Sequence, residues 1–220
     1  MSTVADPVEL LKREGSGLLL DLDGTLVDSE PVHRAAFHAY FTARGWGVPD
    51  DVVRQFSGRR GVEVFASLDG PWRGEEPEAL TAGVITAIEM AHAQPVRGAA
   101  QAIRHWRARG VPIAVVTSAG ASWALAVLDL LGVAVLGLAL VSAEDTPVGK
   151  PDPAPFRLGA RRLGVDIGRC VVAEDAPAGL TSARAAGAAH LIGMTTSYPA
   201  EVLLAAGADT TAADLTVLLP

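Results

Sequence analysis

Short apolar runs alternate with longer amphipathic stretches along most of the chain. The apolar runs predict buried strands at residues 17–22, 113–116, 138–141, 170–173 and 189–192. The amphipathic stretches predict helices at residues 99–109, 122–131, 155–163 and 178–186. A glycine, which readily ends a helix in the left-handed conformation, follows each of these helices. Strands that alternate with helices indicate a parallel sheet covered on both faces.

Residues 31–93 interrupt this alternation, because they carry helical patterns and no convincing strand. They predict a small helical unit inserted after the first strand. The predicted fold class is therefore α/β, with a Rossmann-like three-layer core around a parallel sheet and an inserted α-helical cap subdomain. The predicted core comprises residues 1–30 and 94–220, and the predicted cap comprises residues 31–93.

Ligands of open parallel sheets bind at the carboxyl ends of the strands, so the residues after each strand are candidates for chemistry. The first strand leads into DLDGT, which places Asp21 and Asp23 on one side of an extended chain. Such a pair can bind a divalent cation, or supply one nucleophile and one proton donor. Aspartates are also common in turns, so this pair alone does not decide between chemistry and structure.

Three later strands also end in polar loops. Thr117 and Ser118, after the second strand, can bind an anion or cap the next helix. Lys150 follows the third strand, and Glu174 and Asp175 follow the fourth. Together the four loops bring carboxylates, hydroxyls and an ammonium group into one crevice. Carboxylates that close repel one another unless a cation lies between them, and Mg2+ suits an all-oxygen site that also holds a phosphoryl group.

Composition narrows the class of protein. Half of the 220 residues are hydrophobic and a fifth are charged, which is typical of globular proteins. The net charge of -7 and the lack of a dense Lys/Arg run argue against nucleic-acid binding. Cys170, the only cysteine, lies in an apolar run, which favours a buried and inert thiol. The apolar stretch 123–141 contains Asp129 and two glycines, so we expect a cytoplasmic protein without a membrane span.

The motifs DLDGTLVDS, GKPDP and EDAPAG, in this order, resemble those of the haloacid dehalogenase superfamily. The resemblance is to the branch of small phosphatases and β-phosphoglucomutase-like enzymes with a helical cap, and it covers nearly the whole chain. It implies that Asp21 is a nucleophile that forms an aspartyl-phosphate. It also implies that Asp23 is first a general acid and then the base for the hydrolytic water.

The resemblance further implies a phosphate site and a Mg2+ site. The implied phosphate ligands are Asp21, Thr117, Ser118 and Lys150. The lysine would neutralise both the phosphate and the nucleophile. The implied Mg2+ ligands are Asp21, the backbone carbonyl of Asp23, and Asp175, with Glu174 in support.

Relatives of this kind close the cap over the site and use it to select the substrate. His33, ten residues after Asp23, is implied as a cap residue that faces the site. Arg59 and Arg60 lie where related caps contact substrate. Each of these residues also has a purely structural interpretation, as a packed histidine or a solvated basic pair. Packing in the core or the cap is expected for the four tryptophans, Trp46, Trp72, Trp106 and Trp123.

The predicted function is Mg2+-dependent hydrolysis of a small phosphorylated metabolite, a sugar or polyol phosphate, by a monomer or weak dimer. Phosphate transfer within a sugar phosphate is an alternative, disfavoured because mutase caps carry an arginine at a position that aligns with Gly61. Dehalogenation is disfavoured by the presence of Asp23, and phosphonate cleavage by the lack of a cap lysine. A catalytically idle binding protein on the same fold is the alternative from another class, and the presence of both aspartates argues against it.

Overall fold

The computed structural model describes residues 5–88 and 93–220. The strands in these ranges are β1 Gly17–Leu20, β2 Val27–Asp28, β3 Gln94–Pro95, β4 Ile113–Val116, β5 Ala139–Val141, β6 Cys170–Glu174, β7 His190–Met194 and β8 Thr210–Ala212. The α-helices are α1 Pro7–Leu11, α2 Glu30–Ala43, α3 Asp50–Val53, α4 Gly61–Ser67, α5 Pro77–Ile85, α6 Ala99–Ala108, α7 Ala121–Leu130, α8 Ala154–Leu163, α9 Pro177–Ala186 and α10 Ala200–Ala205. None of the helices in these ranges is both long enough and apolar enough to cross a membrane.

Six of the strands form one parallel sheet in the order β5-β4-β1-β6-β7-β8. Strand β1 is central: Leu18 pairs with Ile113 of β4 on one side and with Val171 of β6 on the other. The carboxyl ends of β1, β4 and β6 are therefore adjacent, and the residues that follow them meet at one edge of the sheet. Strands β2 and β3 form a separate antiparallel pair.

Alternate residues of the central strand face two different layers of helices, because successive side chains of a strand point to opposite faces. Leu18 and Leu20 pack with residues of α1, α6 and α7, whereas Leu19 packs with residues of α8, α9 and α10. All three leucines are fully buried. The α/β fold class and the three-layer core are thereby confirmed.

The predicted strands and helices agree closely with the structure. All five predicted strands are present, with ends that differ by at most two residues, and the four predicted helices agree to within one residue at each end. The sequence did not predict β8, the sixth strand of the sheet. This edge strand is short, half-buried and rich in threonine, so it lacks the apolar run that marks the inner strands.

Helices α2 to α5 surround a second hydrophobic core of their own. Its centre is aromatic: Phe41 stacks on Trp72 with 5.4 Å between the ring centroids, and the rings of Phe56 and Phe65 lie 4.8 Å apart. All four rings are buried. These helices lie between β1 and α6 in the chain, where the cap was predicted. Residues 89–92 of the predicted cap lie outside the described residues.

Candidate active site

The central strand places Asp21 at the edge of the sheet where β4 and β6 also end. The N–H of Asp21 still donates to the carbonyl of Ala173 on β6, at 3.0 Å, so the chain is extended up to this point. It then turns at Gly24, where φ is +77°. A Cβ added to Gly24 would lie 2.0 Å from Oδ2 of Asp175. Glycine is therefore required both for the turn and for the close approach of two acidic loops.

Lys150 lies beneath the acidic loops and joins two of them. Its Nζ donates to Oδ1 of Asp21 and, at 2.7 Å, to Oε2 of Glu174. The lysine side chain is only 1% exposed. Burial disfavours the charged ammonium, but the carboxylates of Asp21 and Glu174 outweigh it and raise the pKa of Lys150. Lys150 is thus in contact with Asp21, the predicted nucleophile that it was expected to neutralise.

Asp21, Glu174 and Asp175 bring carboxylate oxygens within 4.8 Å of one another. Burial, followed by repulsion from Glu174, raises the pKa of Asp21 well above its usual range, although Lys150 opposes the shift. Burial and the same neighbour also raise the pKa of Asp175, which accepts a hydrogen bond from Ser197. Three carboxylates face one ammonium group, so the cluster carries an excess of negative charge. Its donor set and its charge fit a hard divalent cation.

The carboxylate of Asp23 is held by three side chains. Its Oδ1 accepts hydrogen bonds from Ser29 at 2.6 Å and from Trp123 at 2.8 Å, and lies 3.0 Å from Nε2 of His33. Burial acts to raise the pKa of Asp23, but the charge and hydrogen bond of His33, with the other two donors, lower it overall. His33 is likewise affected: burial opposes its charged form, and the Asp23 carboxylate raises its pKa.

Strand β4 places Thr117 and Ser118 beside the two aspartates. The N–H of Thr117 donates to the carbonyl of Val141 at 2.8 Å, and its Oγ1 accepts from the N–H of Ala119 at 2.9 Å. Within residues 5–88 and 93–220 this hydroxyl donates to no other group, so it is available to an anion. Ser118 instead donates its Oγ to the carbonyl of Gly58 at 3.0 Å. Only its N–H is then suited to phosphate binding.

A cavity of about 760 Å³ lies between the sheet edge and helices α2 to α5. Among the predicted residues, its walls include Asp21, Asp23, His33, Arg59, Arg60, Thr117, Ser118 and Asp175. The walls on the side of α2 to α5 combine apolar side chains, among them Phe37 and Phe56, with charged ones such as Glu30 and Arg34. The cavity is large enough for a phosphorylated sugar, and its walls combine charged and apolar side chains, as small-molecule sites commonly do.

The two cap arginines are in different environments. Arg60 donates from Nη1 to the carbonyl of Thr146 at 2.9 Å, and from Nη2 to the hydroxyl of the same residue. Glu63, one turn further along, accepts the N–H of Gly149 at 2.7 Å. Both residues therefore bind the loop that leads to Lys150. Arg59 lines the cavity, and no side chain in the described ranges forms an ion pair with it.

Three residues that hold the site were missed by the sequence interpretation. Trp123 packs against the core as predicted, and it also donates to Asp23. Ser29 lies in the DSE segment, but a serine there carries no distinct signal. Ser197 lies just after β7, and the rule that strand ends carry chemistry, extended to the fifth predicted strand, would have found it.

Comparisons with known proteins agree with this geometry. Residues 16–187 match the model of the haloacid dehalogenase-like hydrolase family. The chain is 36% identical to validoxylamine A 7'-phosphate phosphatase of Streptomyces hygroscopicus subsp. limoneus, over 90% of this chain and 93% of that protein. It is 37% identical to hexitol phosphatase A of Escherichia coli, over 80% of this chain and 81% of that protein.

A solved structure gives the same result for the fold. The chain resembles a hydrolase from Pseudomonas syringae with a TM-score of 0.85 and 26% sequence identity, over 93% of this chain and 96% of that one. The family model covers well over half of the chain, and both sequence relatives are more than 30% identical over most of its length. This protein therefore belongs to the haloacid dehalogenase-like hydrolase family.

Proposed function

We propose that this chain is a phosphoric monoester hydrolase that acts on a small phosphorylated metabolite, with Asp21 as the nucleophile. The observation that carries the proposal is the position of the Asp21 carboxylate. It lines the floor of the cavity, its Oδ1 is bound by Lys150, and no described residue within 5–88 and 93–220 donates to its Oδ2. One oxygen is thus fixed by a cation and the other is open to a substrate.

In the first half of the proposed reaction, Oδ2 of Asp21 attacks phosphorus and the bond from phosphorus to the ester oxygen breaks. Asp23 gives its proton to that oxygen, which leaves as an alcohol. The bound phosphate favours the protonated form of Asp23, because a nearby negative charge raises the pKa of a carboxyl group. Thr117 donates its hydroxyl hydrogen to the phosphoryl group, and Lys150 offsets the charge that builds up.

In the second half, water attacks the phosphorus of the aspartyl-phosphate and Asp23 takes the proton of that water. The three side chains bound to Oδ1 of Asp23 favour the ionised form that this step needs. Cleavage of the acyl-phosphate bond at phosphorus then returns Asp21 as a carboxylate and releases inorganic phosphate. The same aspartate therefore serves as acid and base in turn.

Mg2+ is the proposed cofactor. Asp21, Asp175 and the backbone carbonyl of Asp23 would hold it, with Glu174 in support. The excess of carboxylates over ammonium groups at this point is the property of the chain that supports a cation. When bound, the ion would supply positive charge that offsets the negative charge of the phosphoryl group.

We further propose that the substrate is a sugar or polyol phosphate and that residues 31–93 act as a cap over it. The named functions of the two sequence relatives, on a hexitol phosphate and on validoxylamine A 7'-phosphate, support this class. They also favour hydrolysis over phosphate transfer within a sugar. The cavity between the core and helices α2 to α5 is the space in which such a substrate would lie.

A hydrolysis screen over phosphorylated hexoses, hexitols and other polyols tests the proposal. We expect release of inorganic phosphate with Mg2+ for a subset of these esters, and no release by the Asp21→Asn variant. Glucose phosphates belong in the screen, so that isomerisation is measured beside phosphate release. Turnover that survives in Asp21→Asn would contradict the proposed nucleophile, and isomerisation without release would favour a mutase.

A further inference from the structure

The two oxygens of the Asp23 carboxylate are in unequal environments. Oδ1 is within hydrogen-bond distance of Ser29, His33 and Trp123, at 2.6 to 3.0 Å. Within residues 5–88 and 93–220, no side chain or backbone group donates to Oδ2. The lone pairs of Oδ1 are therefore saturated, whereas Oδ2 keeps its lone pairs free of protein donors, and Asp23 lines the cavity.

Trp123 is the donor that comes from a distant part of the chain. Ser29 and His33 lie within ten residues of Asp23, whereas Trp123 lies in the first turns of α7, which follows β4 and Thr117. Its ring meets the His33 ring edge-on, with 5.1 Å between centroids and 64° between planes. The indole thus contacts both the carboxylate and one of the other donors to it.

We propose that Trp123 is a positioning residue for Asp23, an inference that rests on the proposed function. Its indole N–H holds Oδ1 together with the other two donors. The proton that Asp23 gives to the leaving oxygen, and later takes from water, is consequently carried on Oδ2. Without this donor, only Ser29 and His33 hold Oδ1. The carboxylate then rotates more freely about χ2, so fewer encounters place a proton at the leaving group.

Trp123 also packs against the hydrophobic core, and packing alone would explain a tryptophan here. The variant Trp123→Phe separates the two roles, because phenylalanine keeps an aromatic ring and loses only the N–H donor. Trp106→Phe is the matched control. The indole of Trp106 is buried and donates to the carbonyl of Leu218 at 2.8 Å, and Trp106 is not among the residues that line the cavity.

The experiment measures kcat/KM for both variants and the wild-type protein on aryl phosphates whose leaving groups range from p-nitrophenol to phenol. A good leaving group needs little protonation, whereas a poor one depends on the general acid. We expect Trp123→Phe to lose about tenfold on phenyl phosphate and much less on p-nitrophenyl phosphate, as suits the loss of one hydrogen bond to a charged group. Trp106→Phe should leave the dependence on the leaving group unchanged.

Two results would overturn the proposal. One is an equal loss of kcat/KM by Trp123→Phe on every ester, and the other is the same change in the dependence of kcat/KM on the leaving group in Trp106→Phe. The indole N–H signals in a proton–nitrogen NMR correlation spectrum give a readout that does not need activity. Asp23→Asn should move the Trp123 signal strongly and leave that of Trp106 in place, and an unmoved Trp123 signal would refute the contact. A wild-type protein that hydrolyses no ester would count against the proposed function, and the NMR comparison would then decide on the contact itself.

Discussion

Lys150 and Glu174 form an ion pair that is closed to solvent. Nζ lies 2.7 Å from Oε2, and the two side chains are 1% and 0% exposed. The same Nζ donates to Asp21, so a single lysine is shared by two carboxylates from neighbouring strands. The position and charge of Asp21, the proposed nucleophile, therefore depend on a residue that does not itself line the cavity.

Lys150→Met should destabilise the metal-free protein by about 3 kcal/mol, because removal of one partner leaves buried carboxylates without compensation. Added Mg2+ should recover part of this loss by binding the uncompensated oxygens. Urea unfolding in EDTA and in Mg2+ measures both effects. Lys12→Met, which removes the other lysine from an exposed pair with Glu9, is the control. A similar loss in both variants, or no recovery with Mg2+, would contradict the proposed electrostatics.

Removal of divalent metal should stop turnover of p-nitrophenyl phosphate, and Mg2+ should restore it. Asp175→Asn should then require about tenfold more Mg2+ for half-maximal activity, since it removes one charge from the carboxylate cluster proposed to bind the ion. Activity measured against the concentration of free Mg2+ gives the half-maximal concentration for the wild-type protein and for the variant. An enzyme that is insensitive to EDTA would rule out the proposed cofactor.

Arg59 and Arg60 should differ in their effects, although the sequence predicted the same role for both. Arg59→Ala should raise KM for the preferred metabolite about tenfold, as the loss of one charged hydrogen bond does, and alter p-nitrophenyl phosphate hydrolysis little. Arg60→Ala should lower kcat/KM on both esters, because its guanidinium holds the loop that leads to Lys150. Identical effects of the two variants on KM and kcat/KM for both esters would contradict the different roles assigned to the two arginines.

Asp145 provides a test of stability against pH away from the proposed site. Hydrogen bonds from Arg162 and from the N–H of Ser142 hold the pKa of this carboxyl well below its usual range. Because the pKa is depressed in the folded state, the stabilisation is complete above the unfolded value, about 3.9, and declines as the pH falls below it.

Asp145→Asn should therefore reduce the free energy of unfolding at neutral pH by about 1–2 kcal/mol. The difference from wild type should narrow as the pH is lowered below about 4. Asp129, which is exposed on α7, offers the control variant Asp129→Asn. A difference in the free energy of unfolding that stays constant at all values of pH would contradict the lowered pKa of Asp145.

Most of the fold could be predicted because its signals are local. Each inner strand is a continuous apolar run, and each predicted helix ends at a glycine that has a positive φ in the structure. Strand β8 could not be predicted, because an edge strand has one neighbour and is only half-buried. Its pairing with β7 depends on tertiary structure, which a three-residue segment does not encode.

The predicted charged groups are brought together, because their loops follow adjacent strands of one sheet. The contacts that hold them in place were not predictable in the same way. The indole of Trp123 reaches Asp23 across 100 positions of sequence, and Arg60 reaches Thr146 across 86. Such contacts depend on how distant elements pack against one another, and a local sequence pattern predicts only the elements.

The residue that carries phosphate during turnover tests the central claim most directly. Wild-type protein and Asp21→Asn would each be mixed with a phosphorus-labelled ester and Mg2+, quenched in acid within the first turnover, and mapped by mass spectrometry. The proposed mechanism predicts label on Asp21 in the wild-type protein and no label in the variant. Label on another residue, or turnover by Asp21→Asn, would contradict it.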